Sequence, residues 1–214
     1  MKVVSVNIGE KKTVQWKGKS VQTGIFKKPV NRSIFLGNDD VDGDHVVDRK
    51  YHGGTHMACY IYSADHYPFW KEKYPKLDWD YGMFGENITI EGLNENNFCL
   101  GDTYQLGTAV VAISQPRKPC FKLGIRFGTQ AILKTYINAD FPGIYLRIIK
   151  NGEVKVGDEM TLIDKHPSCI SLLEAYHLQY DSTEKDVIRI QEILNDPICT
   201  PDIREGLGKR LKLS

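Results

Sequence analysis

Short runs of alternating apolar and polar residues, separated by turn residues, fill the chain as far as residue 164. This period-two pattern is typical of strands that bury one face. Asn151-Gly152 tolerates positive φ at both positions and predicts a hairpin turn between two such runs. Many short strands with frequent turns favour a barrel or a sandwich over βαβ units. The pattern predicts strands at residues 3–8, 46–48, 57–62, 87–90, 103–106, 109–114, 144–149 and 160–163.

After residue 164 the apolar positions recur every three or four residues, which predicts helices. The first helix is predicted over 168–178. A capping box of Asp181 with Glu184 predicts the start of the second. Thr200 is suited to cap a third helix, with Pro201 at its first position.

Two further helices are predicted inside the strand-rich region, over 63–74 and 128–137. Pro68 must either kink the first of these or mark its start, because proline cannot continue a helical hydrogen-bond ladder. The alternating pattern up to residue 164 and the helical pattern after it together predict a mainly β domain over residues 1–164 and a three-helix unit over 165–214.

Composition narrows the class of protein. The chain has 214 residues, of which 41% are hydrophobic and 26% charged, and its formal net charge is +1. This balance gives no global basic field for nucleic acid or an anionic membrane. No apolar run approaches the length of a membrane helix, and the N-terminus lacks the core of a signal peptide. Five cysteines without paired spacing favour a reducing cytoplasm.

One cysteine, Cys120, stands in a rigid and basic segment with the sequence QPRKPCFK, residues 115–122. Two prolines restrict its backbone, and nearby positive charge favours the thiolate, which attacks electrophiles and binds soft metals. A small hydrophobe packed in a basic turn is the alternative. The nearby cations are Arg117, Lys118, Lys122 and Arg126.

A second basic segment, residues 48–56, contains the pair Gly53-Gly54. Paired glycines allow backbone N–H groups to cradle an anion, and Arg49, Lys50 and His52 would add donors for an oxyanion. Taken in isolation, the segment is more simply interpreted as a tight turn between strands with a solvated basic shoulder. A zinc site at His52, His56 and Cys59 is disfavoured, because the two glycines argue against a helix there.

Two weaker signals complete the candidate chemistry. The turn over 82–87 brings Glu86 and Asn87, an acceptor and an amide, beside two glycines. Tyr145 and Arg147 share one face of a predicted strand, which directs Arg147 either to a pocket or to the outer face of the sheet. Dinucleotide, P-loop, nucleophile-elbow and iron–sulfur motifs are all missing from the sequence. Electrons for any redox chemistry would therefore come from another protein.

Taken in order, these segments resemble the MOSC domain, and among MOSC proteins the stand-alone YiiM-like family. The resembling segments are residues 23–30 (TGIFKKPV), 50–54 (KYHGG), 84–89 (FGENIT), 115–123 (QPRKPCFKL) and 143–147 (GIYLR). The ending after residue 165 resembles the three-helix unit of YiiM-like proteins. The resemblance implies a small closed β-barrel of the pyruvate-kinase-barrel type with a few decorating helices.

The same resemblance implies binding of the molybdenum cofactor, a pterin dithiolene that carries a phosphate. Cys120 matches the family cysteine whose thiolate ligates molybdenum, and is both the catalytic and the metal-binding candidate. Pyridoxal phosphate binding is left open. The residues expected to hold the cofactor are Lys50, His52, Gly53, Gly54, Asn87, Arg117 and Arg147, with Lys27 as a weaker candidate.

The activity implied by the resemblance is the reduction of small N-hydroxylated substrates, such as hydroxylaminopurines, to amines. A separate flavin or iron–sulfur reductase would supply the electrons, because the chain lacks the ferredoxin-like domain that some MOSC proteins carry. Neither nucleic acid nor membrane is an expected partner, and a monomer or a homodimer is expected. Two alternatives remain: a sulfur carrier or transferase with a persulfide on Cys120, and a cofactor-storage module.

Overall fold

The computed structural model of this chain describes residues 1–47, 53–180 and 186–212. The strands in these ranges are β1 (Lys2–Gly9), β2 (Lys12–Trp16), β3 (Lys19–Thr23), β4 (Lys27–Pro29), β5 (Ile34–Leu36), β6 (Cys59–Ser63), β7 (Ile88–Glu91), β8 (Thr103–Leu106), β9 (Ala109–Pro116), β10 (Ile144–Lys150), β11 (Gly152–Val154) and β12 (Met160–Asp164). The helices are α1 (Tyr67–Lys73), α2 (Phe121–Phe127), α3 (Ala131–Ile137), α4 (Leu172–Tyr180), α5 (Val187–Asn195) and α6 (Pro201–Leu211).

Eight strands form the principal sheet, in the order β12-β8-β9-β10-β6-β7-β1-β4. Neighbours are antiparallel except for β6 and β7. The start of β1 also meets the chain before β12: Val3 N donates to Asp158 O at 2.8 Å, and Met160 N donates to Met1 O at 2.9 Å. These bonds join the two sides of the sheet, so that seven strands close into a barrel. The predicted mainly β fold is confirmed.

The barrel core follows from alternation along the strands. In β10, Ile144, Leu146 and Ile148 are buried, while Tyr145 and Arg147 between them are half-buried. The same apolar cluster continues into the C-terminal helices, where it includes Ile190 and Ile203. Barrel and helices therefore share one hydrophobic core. The division of the chain into domains at residues 164 and 165 stays a prediction.

Aromatic side chains build a second core beside the barrel. Its members come from β6, the helices α1 to α3 and the turn before β7. Tyr62 stacks on Phe84 with ring centroids 4.3 Å apart, and Trp70 Nε1 donates to Tyr62 Oη at 2.7 Å. The Trp70–Tyr62 hydrogen bond holds the C-terminal end of β6 against α1. Tyr60 of this cluster also reaches the pocket described below.

Most predicted strands are confirmed, but two predictions about strands are wrong. Val46 and Val47 form no strand, and position 48 lies outside the described residues. Asn151-Gly152 forms no hairpin, because neither residue has positive φ and β11 pairs with the distant β5. The positive-φ pair lies instead at Lys17 (49°) and Gly18 (74°), between β2 and β3.

The predicted helices hold with shifted ends. Pro68 lies in the first turn of α1 and so marks its start, and α2 was not predicted. The helix α4 begins at Leu172 rather than at 168, and Cys169 before it has a left-handed φ of 47°. Thr200 caps α6 as predicted, since its hydroxyl accepts from Ile203 N at 3.3 Å. The capping box at 181 and 184 lies outside the described residues.

Within the described ranges, no helix combines the length and the apolar character needed to cross a membrane.

Candidate functional site

One pocket collects candidate residues from five separate parts of the sequence. Four residues predicted to form the site line it: Gly53, Asn87, Arg117 and Cys120. The segments before β4 and before β6, the turn before β7, the segment after β9 and strand β10 converge there. Lys27, Asp44, Tyr60, Lys122 and Tyr145 also line the pocket.

Cys120 lies between the barrel and α2. Strand β9 ends at Pro116, and the chain then runs through residues 117–120 before α2 begins at Phe121. Cys120 has extended backbone angles (φ −117°, ψ 166°), and its carbonyl accepts the Leu123 N–H at 2.9 Å. Its side chain is half-buried and lines the pocket. The cysteine is therefore presented to the pocket rather than sealed in the core.

Arg117 brings a buried positive charge to this pocket. Its exposed fraction is 6%, and its guanidinium lies over the rings of Tyr60 at 4.9 Å and Tyr136 at 5.7 Å. Among the residues that the structure describes, its buried Nη1 has no hydrogen-bond partner. A buried charged donor without an acceptor is costly, so this atom is suited to an anionic ligand.

The four cations near Cys120 in sequence separate in space. Arg117 and Lys122 line the pocket. Lys118 extends to α6, where its Nζ lies 2.7 Å from Asp202 O and 3.1 Å from Asp202 Oδ2. Arg126 lies over the Phe26 ring, 5.2 Å from its centroid. Sequence proximity alone therefore overstates the charge that the pocket receives from this segment.

A buried carboxylate that sequence reasoning missed organises the opposite wall. Asp44 accepts from Gly9 N at 2.8 Å, from Lys27 Nζ at 2.6 Å and from Asn87 Nδ2 at 3.0 Å. The Oδ1 of Asn87 accepts from Tyr60 N at 3.2 Å. Lys27 and Asn87 are thus held at the pocket by Asp44. The acidic segment NDDVDGD, residues 38–44, has the composition of a solvated loop and gave no sign of this role.

Glu86 belongs to the scaffold and not to the lining of the pocket. It is fully buried and accepts from Gly82 N at 2.8 Å and from Phe84 N at 3.0 Å. The hydroxyls of Tyr67 and Thr89 donate to it as well. These bonds hold the turn before β7, so that Gly85 and Asn87 face the pocket.

Of the two polar residues that strand β10 was expected to bring to the site, Tyr145 and Arg147, one lines the pocket and the other does not. Tyr145 lines the pocket, and burial raises its pKa to about 12 against the opposing charge of Arg117. Its hydroxyl therefore stays protonated at neutral pH. Arg147 is not part of the lining. It lies near His56, whose pKa is lowered by burial and, secondarily, by the charge of Arg147.

The remaining candidates fall around the turn before β6. Gly53 lines the pocket with a φ of 136°, while Gly54, with a φ of 81°, precedes the short 3-10 turn Thr55–Met57 and is not part of the lining. Lys50 and His52 lie outside the described residues, as does Arg49. Their roles stay predictions.

The zinc alternative gains no support from the part of the chain that the structure describes, which contains no group of three metal-ligating side chains. Burial raises the pKa of Cys59 to about 12, so its thiol is protonated at neutral pH.

The amino-acid sequence of this chain is similar to one protein family and to several known proteins. The family model described as "MOSC domain" matches residues 48–161. The uncharacterized protein YflK of Bacillus subtilis is 34% identical over 208 residues, covering 97% of this chain and 93% of YflK. The protein YiiM of Escherichia coli is 29% identical over 168 residues, covering 76% and 75%. A protein of Gibberella moniliformis named "Reductase" is 36% identical over 151 residues, which is 69% of this chain but 27% of that protein.

Solved structures agree with this result. YiiM from Geobacillus stearothermophilus superposes with a TM-score of 0.79 at 31% identity, covering 98% of both chains. YiiM from Escherichia coli superposes with a TM-score of 0.75 at 24% identity, covering 100% of this chain and 94% of that one.

Proposed function

The chain belongs to the MOSC domain family, and from this we propose that it binds the molybdenum cofactor beside Cys120 and reduces N-hydroxylated compounds to amines. MOSC domains are associated in general with this cofactor. The observation that carries the proposal is that Arg117 lines the pocket with a buried Nη1 for which the described residues provide no acceptor.

The pocket residues fit an anionic, sulfur-rich group. Arg117 and Lys122 supply positive charge for a pterin phosphate or for oxo groups, and such charge-assisted bonds are stronger than neutral ones. Cys120 supplies a soft sulfur ligand of the kind that suits molybdenum. Gly53 and Gly85 leave bare backbone in the lining, at positive φ. These residues would hold the cofactor, together with Asn87 and Lys27.

Bound in this pocket, the cofactor would supply the two-electron, oxygen-accepting centre. The overall reaction takes the substrate N–OH group, two electrons and two protons to N–H and water. Tyr145 keeps its proton at Oη and can donate a hydrogen bond to an oxygen in the pocket. Arg117 and Lys122 balance negative charge, and the half-buried position of Cys120 leaves an approach for a small substrate.

A separate flavin or iron–sulfur reductase is the proposed electron donor, because the sequence carries no motif for an electron-transfer cofactor of its own. The relative named "Reductase" supports the oxidoreductase class for this chain. We expect a small-molecule substrate, and the hydroxylaminopurines are the first compounds to assay.

The test is metal analysis of protein purified from a host that makes the cofactor. We expect molybdenum and oxidised pterin in the unaltered protein and the loss of both in Cys120→Ala, with the far-UV spectrum unchanged. Cys169→Ala is the matched control, because Cys169 is exposed and lies outside the pocket. Full reductase activity in Cys120→Ala would rule out the proposal. A persulfide on Cys120 without molybdenum, seen by intact-mass spectrometry, would favour the sulfur carrier.

A further inference from the structure

The first turn of α6 contacts the segment that carries Cys120. Gln115, at the end of β9, is 1% exposed. Its Oε1 accepts from Thr200 Oγ1 at 2.6 Å, and its Nε2 donates to Asp202 Oδ2 at 3.3 Å. Thr200 is itself 3% exposed. A buried amide bonded at both ends holds the end of β9 against α6.

A second attachment follows three residues later. Lys118 Nζ lies 2.7 Å from the carbonyl oxygen of Asp202 and 3.1 Å from its carboxylate. Gln115 and Lys118 thus flank Arg117, and both are bonded to Asp202. The segment is held to the helix on one side, while Arg117 between them turns to the pocket and stacks on Tyr60.

The sequence of α6 accommodates this close approach. A Cβ at Gly206 would lie 3.0 Å from Lys118 Nζ and 2.6 Å from Gln179 Oε1. A Cβ at Gly208, two residues later, would meet no atom of the described residues within 4 Å. Glycine lowers helix stability, so the close approach of Gln179 and, less closely, of Lys118 accounts for a glycine at position 206.

We propose that α6 is a positioning element for the pocket: by binding Gln115 and Lys118, it holds Arg117 and Cys120 at the cofactor. This inference rests on the proposed function for the identity of the ligand, and on the contacts above for the positioning. Asp202 is its central residue, since its side chain or carbonyl meets both partners. Neither α6 nor Asp202 lines the pocket.

The decisive variant is Asp202→Ala, because positioning and simple electrostatics predict opposite signs. Removal of a negative charge near the pocket should strengthen the binding of an anion if only charge matters. Loss of positioning should weaken it. We expect the molybdenum content of purified Asp202→Ala to fall several-fold. Hydrogen exchange of the 116–123 segment should become faster in protein freed of cofactor.

Matched variants separate positioning from general damage to α6. Glu205→Ala removes another carboxylate of the same helix, one that pairs with the exposed Lys209, and should leave both measurements unchanged. Lys118→Met should lower the molybdenum content as Asp202→Ala does. Lys118→Arg should keep the molybdenum content of the unaltered protein, because arginine can still donate to Asp202. In an Arg117→Ala background, Asp202→Ala should cause little further loss of molybdenum, since the effect passes through Arg117.

The outcomes distinguish this inference from the proposed function. Unchanged or raised molybdenum content in a folded Asp202→Ala, with unchanged exchange of residues 116–123, would overturn the positioning role. Additive losses in the double variant would overturn the route through Arg117. If even the unaltered protein holds no molybdenum, the proposed function fails, and hydrogen exchange alone then decides whether α6 positions the segment.

Discussion

At the scale of single residues, side chains adjacent in the sequence have separate jobs. Arg117 and Lys118 are neighbours with the same charge, yet one lines the pocket and the other binds Asp202. The basic composition around Cys120 indicated a segment that lines the pocket. It could not assign these roles, because which side of the segment each residue faces depends on α6, more than 80 residues further along the chain.

Asp44 is a residue of the site that the sequence did not indicate at all. Nothing in an acid-rich stretch with glycine indicates that one carboxylate is buried with three donors around it. Burial of that kind is decided by long-range packing against Gly9, Lys27 and Asn87. Because carboxylates in loops are usually solvated, composition alone does not reveal this burial.

We predict that Asp44→Asn is strongly destabilising. The Lys27–Asp44 pair is buried, with side-chain exposures of 9% and 3%, so the substitution leaves Lys27 charged without its partner. Loss of one member of a buried pair costs about 3–5 kcal/mol in unfolding free energy. Urea denaturation measures this cost. Glu205→Gln, in an exposed pair, is the control and should leave the midpoint unchanged. An equally small shift for Asp44→Asn would contradict the buried network.

At the scale of elements, capping residues and apolar alternation predicted the helix starts and strands that depend on nearby residues alone. Thr200 and Pro201 located the start of α6, and strict alternation located β8 and β10. The short strands β5 and β11 were not predicted, because three residues are too few to show an alternating pattern. Their pairing joins Gly152 to Leu36, residues that are far apart along the chain. The expected hairpin at Asn151-Gly152 failed for the same reason: the turn residues permit a hairpin, but pairing with β5 determines the backbone.

The two glycines of α6 allow a prediction at this scale. Gly208→Ala should stabilise the protein by about 1 kcal/mol, because alanine has the higher helix propensity and its Cβ would contact no atom of the described part of the chain. Gly206→Ala should gain less or destabilise, since Lys118 and Gln179 must move away from the new methyl group. Thermal denaturation of the two variants, measured side by side, checks the difference. Equal gains would show that the contact at Gly206 imposes no constraint.

At the scale of the whole molecule, the closure of the barrel joins the two ends of the strand-rich region. Residues 1–3 bond with residues 157–160, so this contact spans nearly the whole strand-rich part of the chain. Pattern and turn residues indicated many strands, and the resemblance to MOSC proteins implied that they close. The order of the strands could not be read from alternation, because it depends on pairings far apart in the sequence.

The shared core leads to a final prediction, that barrel and C-terminal helices unfold together. Ile203 of α6 is fully buried in the same apolar cluster as the barrel strands. Ile203→Ala should therefore lower the unfolding free energy of the whole protein by about 2–5 kcal/mol. All three tryptophans, Trp16, Trp70 and Trp79, precede the helical unit and report only on the strand-rich region.

The midpoint from tryptophan fluorescence should therefore shift as far as the midpoint from far-UV circular dichroism. Ile188→Ala is the matched control, because Ile188 is 70% exposed on α5 and its loss should change stability by less than about 0.5 kcal/mol. If Ile203→Ala shifts only the circular dichroism transition, the helices form an independent unit and the core is not cooperative. A common shift would show that the barrel and the C-terminal helices unfold as one cooperative unit through their shared core.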